Sequence, residues 1–152
     1  MEFNLGLVLP RDARTVPVAR HICRNALYEL GVADECVSDI EVALTEACTN
    51  VLEHSGPGEE YEVQVRMAEH HCVIRVVDNG RGFDAAAPRA LPDGSAEGGR
   101  GIDLMHALVD RVELVSRPEA GTVVVLEKEL AYVEGSPVKK VAAPGGRVAL
   151  GD

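Results

Sequence analysis

A chain of 152 residues, 46% hydrophobic and 26% charged, has the size and composition of one ordinary globular domain that can bury a core. Its formal net charge of -10 and its 3% aromatic content, with no Trp, argue against nucleic acid as a direct partner, which calls for a cationic footprint and stacking platforms. No stretch approaches the roughly eighteen apolar residues of a membrane span, and MEFNLGLVLPRDAR lacks the basic start and apolar run of a secretory leader, so a cytoplasmic protein without membrane contact is expected.

Phe3, Leu5, Leu7 and Leu9 alternate with Asn4, Gly6 and Val8 up to Pro10, which predicts a first strand. From Val16 to Leu30 the apolar residues recur at helical spacing, and Gly31 is the expected C-cap. Asp34 is placed as the cap of a second helix, whose stripe is Val37, Ile40, Ala43, Leu44, Ala47 and Val51 and which stops at Gly56-Pro57-Gly58. Two alternating runs, 61–68 and 72–77, flank the polar turn Glu69-His70-His71 and read as an antiparallel hairpin.

Residues 79–101 are rich in Gly, Pro and Ala without any period, and a segment of that length inside a compact domain reads as a functional lid or a disordered stretch. A short helix over 102–108 is expected next, then strands at 111–116 and 122–130. The rest lacks an amphipathic pattern, so the domain is set at 1–131 and a flexible tail at 132–152. No internal repeat is visible. This order of elements predicts an α+β two-layer sandwich, with helices packed on one face of a mixed, largely antiparallel sheet.

Cys23, Cys36, Cys48 and Cys72 are far apart in apolar or amphipathic runs and read as reduced core residues. No Cys/His spacing suggests zinc, with His70 and His71 in a turn; His54, one turn after Asn50, reads as closing the helix C-terminus, where a cation is favoured. The acidity suits a basic protein partner or serves solubility alone.

Four constellations carry chemistry. Glu46 and Asn50, four residues apart on the second helix, project from one flank, and a carboxylate beside an amide oxygen suits a hard ion such as Mg²⁺; taken by themselves they describe a solvated helix face more readily than a metal site. Asp78-Asn79-Gly80-Arg81-Gly82-Phe83 begins where an apolar strand ends. The Asp78 carboxylate accepts a hydrogen bond from an amine and Gly80 and Gly82 let backbone approach a flat base, or the segment is a plain turn. Gly98-Gly99-Arg100-Gly101 before a helix offers backbone N–H groups to phosphate, or is a linker. Gly121-Thr122 opens the last strand.

The series E-x-x-x-N on a helix, D-N-G-R-G-F after a strand, G-G-R-G-I after a lid and G-T on a strand resembles the GHKL (Bergerat-fold) ATP-binding family over roughly residues 3–130. Within it, EACTNVLEHS in a short chain is similar to the anti-sigma-factor serine/threonine kinase type. The resemblance implies ATP and Mg²⁺ as cofactors, with Asn50 on the metal, Glu46 as catalytic base, Asp78 on the adenine amino group, Gly82 and Thr122 completing a water network on the ring, and Gly99 and Gly101 with their lid neighbours, Arg100 among them, around the phosphates. It implies a homodimer whose Arg20 faces a protein partner, a sigma factor or the antagonist protein that is phosphorylated. Two other readings stand beside it. One is a non-catalytic ATP-binding switch, against which the presence of Glu46 speaks. The other is a detached histidine-kinase catalytic domain, which no helical hairpin before Phe3 supports.

Overall fold

A computed structural model describes residues 1–54, 59–78, 96–117 and 121–137. The elements run in the order β1 (Glu2–Pro10), α1 (Val16–Glu29), α2 (Asp34–His54), β2 (Glu60–Ala68), β3 (His71–Asp78), α3 (Ala96–Leu108), β4 (Arg111–Arg117) and β5 (Gly121–Glu129), with a 3-10 turn at Ala13–Thr15 before α1. The strands form one sheet in the order β1-β2-β3-β5-β4, and every neighbouring pair is antiparallel. The expected two-layer α+β sandwich is the one found.

Period-two alternation decides which face is covered. Tyr61, Val63, Val65 and Met67 of β2 and Cys72, Ile74 and Val76 of β3 are buried, and α2 meets them with Val37, Ile40, Ala43, Leu44, Ala47, Cys48 and Val51. Each Val, Leu, Ile or Met among them contributes about 1.5–3 kcal/mol on leaving water, so this seam fixes α2 against the sheet. Asp34, expected as the cap of α2, lies one residue further in, where its carboxylate and that of Glu35 complement the positive end of the helix.

Helix α1 begins with Pro17 in its first turn, where a missing N–H costs nothing. It ends in a Schellman motif: Val32 N–H donates to Leu27 O at 3.0 Å and Gly31 N–H to Tyr28 O at 2.9 Å, with Gly31 at φ +81°. A Cβ on Gly31 would also overlap the Ser136 side chain, whose Oγ donates to Leu30 O at 2.6 Å. Gly31→Ala is therefore expected to lower stability by about 2 kcal/mol or more; a denaturant melt reads this, and an unchanged midpoint would contradict it.

Residues 132–136, expected to open the tail, are docked on the body. Tyr132 bridges to Val32, Val133 N–H donates to Gly31 O at 2.7 Å, and the Tyr132 hydroxyl donates to Glu69 O at 2.6 Å. The attachment runs largely through backbone groups, which no apolar period announces. The remainder of the expected tail lies outside the described residues.

Helix α3 begins at Ala96 rather than at 102, so Gly98, Gly99, Arg100 and Gly101 lie within its first turns instead of preceding it. Each glycine disfavours a helix by about 1 kcal/mol relative to Ala, which is why propensity alone places the start later. The close approach of Gly101 to α2 overrides it. At the other end of α3, the Lys128 ammonium donates to Leu108 O at 2.8 Å and stands 3.4 Å from Asp39 of α2, which ties the helix to both the sheet and α2.

Cys23, Cys48 and Cys72 are buried, and burial pushes each thiol up to about 12, so they stay protonated and inert at neutral pH. Cys36 departs from the core expectation: it is half-buried, and its sulfur accepts from the Ala131 N–H at 3.4 Å. Among the described residues no helix is long and apolar enough to cross a membrane.

Candidate functional site

The site is built where α2, α3 and the ends of β3 and β5 converge. Asn50 is buried, and its Nδ2 donates to the Glu46 backbone O at 3.1 Å. That bond fixes the carboxamide, leaving Oδ1 buried with no hydrogen-bond partner among the described residues. An unsatisfied buried acceptor costs about 1–3 kcal/mol, and such a cost is tolerated where a ligand supplies the missing partner. An oxygen of this kind suits Mg²⁺, which takes one or two protein oxygens and completes its shell with waters and phosphates. The residues present therefore fit the ion.

Glu46 stands one turn before Asn50 and is half-buried at the edge of the core. Helix α3 is seated on this pair, because a Cβ on Gly101 would lie 3.0 Å from Glu46 Oε1 and 3.4 Å from Asn50 Nδ2. Here the glycine serves as a spacer. In α3 the N–H groups without intrahelical partners are those of the first four residues, Ala96 to Gly99. Gly99 remains among those donors, whereas Gly101 does not, and Arg100 is carried on the same turns.

Asp78 is the last residue of β3 and continues the buried phase of Cys72, Ile74 and Val76, so alternation turns a carboxylate toward the helix layer. It is fully buried. Gly121, at φ +116°, would place a Cβ 3.1 Å from Asp78 Oδ2, so only glycine allows β5 to open against that carboxylate. The buried Thr122 follows at once, in phase with Val124 and Leu126. The structure thus brings Glu46, Asn50 and Gly101 together, and separately Asp78, Gly121 and Thr122. Gly80 and Gly82 lie outside the described residues.

Arg20 is not part of this group. Its Nε stands 3.5 Å from Glu41 Oε2 on α2, an oxygen that Arg24 approaches at the same 3.5 Å. His54 is the last residue of α2. A cavity of about 590 Å³ lies on the other face of the sheet among Asn4, Gly6, Gln64, Val73 and Arg75, and none of the expected site residues lines it.

Tyr61 is not among the residues expected at the site. It is the cross-strand partner of Asp78, fully buried, with its hydroxyl 2.8 Å from Thr15 Oγ1 at the start of α1. Burial pushes that hydroxyl up from its ordinary value, partly offset by the bond to Thr15. Counting the hairpin register outward from its turn would have placed Tyr61 opposite Asp78.

The histidine kinase-like ATPase domain matches residues 9–128. Serine-protein kinase RsbW of Halalkalibacterium halodurans is 31% identical over 137 residues, spanning 84% of this chain and 83% of that protein. Its counterpart from Bacillus pumilus is 31% identical over 140 residues, spanning 83% of this chain and 85% of that one. A crystal structure of the RsbU and RsbW domains of a Mycobacterium tuberculosis protein superposes with a TM-score of 0.61 at 21% identity, covering 86% of this chain. This chain spans 32% of that longer one, and the likeness shows the fold.

Proposed function

The chain belongs to the histidine kinase-like ATPase domain family, and from that premise we propose that it is an ATP-dependent serine/threonine protein kinase of the anti-sigma-factor type. It phosphorylates an antagonist protein and, in its other state, sequesters a sigma factor. The observation that carries this reading is the buried Asn50 Oδ1, unpartnered among the described residues and one turn from Glu46, with the buried Asp78 at the neighbouring strand end.

Phosphoryl transfer asks a protein mainly for positioning and charge. Asp78 accepts the adenine amino hydrogen, and Thr122, with Gly82, orders water on the ring. Gly99 and its neighbours at the start of α3 turn N–H groups toward the phosphates, and Gly101 lets the helix sit close enough to do so. Asn50 Oδ1 would hold the metal, and bound Mg²⁺ would offset the charge on the phosphate oxygens. Glu46 takes the hydroxyl proton of the incoming serine or threonine. Arg20, half-buried on α1 beside Glu41, faces the partner, and the kinase acts as a cytoplasmic homodimer.

The test is transfer of labelled phosphate from γ-labelled ATP with Mg²⁺ to proteins that co-purify with the chain. Phosphoserine or phosphothreonine on a small partner is the expected result. Partner binding that responds to ATP without any transfer would replace the kinase by a nucleotide-dependent switch.

A further inference from the structure

We infer that Arg11 is a positioning residue for the phosphate-and-metal end of the site, acting through the last turn of α2; this rests on the function proposed above. Arg11 follows the last residue of β1, and its backbone N–H donates to Glu59 O at 2.9 Å, just before β2. Its side chain reaches 41 residues along the chain to donate from Nη2 to Leu52 O at 2.9 Å. Arg11 Nε is buried. One residue thereby holds both the end of α2 and the chain that re-enters the sheet.

The physical need is specific. The last four carbonyls of a helix have no intrahelical N–H, and Leu52 O is one of them in a helix ending at His54. A guanidinium there supplies a donor and a cation at the negative end of the helix. Leu52 stands two residues after Asn50, whose carboxamide Nδ2 donates to Glu46 O in the preceding turn. That bond fixes the carboxamide relative to α2, so the placement of Asn50 Oδ1 in the site follows how firmly the end of α2 is held. Asp78, on β3, does not depend on that turn. Arg11 should thus matter for Mg-ATP and not for the base alone.

Arg11→Met keeps the aliphatic stem and removes donor and charge. It is expected to weaken Mg-ATP binding by about tenfold or more, in the range found for outer groups that orient a metal ligand, with adenosine affinity changed less than about twofold. Arg11→Lys keeps the charge without the planar fork and is expected to lose about threefold for Mg-ATP. The measurement is a calorimetric titration of each variant with Mg-ATP and with adenosine, beside its melting temperature. Equal weakening of both ligands, with a lowered melting temperature, would make Arg11 a general structural brace and overturn the inference, as would Mg-ATP binding at the wild-type affinity. Should Arg11→Met not fold, an unchanged ratio of Mg-ATP to adenosine affinity in Arg11→Lys overturns it. Wild type that binds adenosine and Mg-ATP while Arg11→Met binds both equally well defeats this inference alone, whereas wild type that binds neither defeats the proposed site and the inference with it.

Discussion

Glu46→Gln is expected to leave Mg-ATP affinity close to that of the wild type and to lower phosphate transfer by about two to four orders of magnitude, the usual contribution of a positioned general base. The substitution preserves length and polarity but removes the acceptor for the hydroxyl proton. Two features of the structure separate this effect from binding. The Asn50 carboxamide is held by the backbone oxygen of residue 46, not by its side chain, so the metal ligand stays in place when Glu46 changes. Gly101 meets Glu46 Oε1 without a Cβ, so an amide of the same size leaves the seat of α3 intact. Transfer at the wild-type rate would remove Glu46 from the role of base.

Asp78→Asn is expected to weaken adenosine and Mg-ATP to a similar extent, by about tenfold to a hundredfold. A hydrogen bond to a charged acceptor is worth about 1.5–3 kcal/mol, and the new NH₂ turns a donor toward another donor. Because the carboxylate is fully buried at the end of β3, no alternative group from solvent substitutes for it. Loss confined to Mg-ATP would contradict the placement of Asp78 at the base. The contrast with Arg11→Met, which spares adenosine, separates the two ends of one site.

Much of this arrangement is legible in the sequence because period and punctuation agree. The alternation Tyr61, Val63, Val65, Met67 and Cys72, Ile74, Val76 announces the hairpin, and carried one step further it puts Asp78 on the covered face. The stripe from Val37 to Val51 orients α2, and with it the four-residue interval from Glu46 to Asn50. Gly31 closes α1 as its position suggests. What escapes the sequence lacks a local signature. The first turns of α3 contain glycines whose propensity opposes a helix, and the fit of Gly101 against α2 that decides the matter is a tertiary contact. Docking of Tyr132 and Ser136 includes hydroxyl bonds to carbonyls far away in the chain. The bond from Arg11 to Leu52 is of the same kind, and nothing near Arg11 in sequence foretells it.

The central claim is that Glu46, Asn50, Asp78 and the start of α3 form a nucleotide site, and the thermal unfolding of the wild-type protein with and without millimolar Mg-ATP tests it most directly. A ligand that binds only the folded chain stabilises it by about 2.7 kcal/mol at a hundred times its dissociation constant. For a domain of this size that corresponds to a rise of about 5–10 °C in melting temperature. The account predicts that rise for the wild type and its loss in Asp78→Asn. A wild-type melting temperature that does not move with Mg-ATP would contradict it.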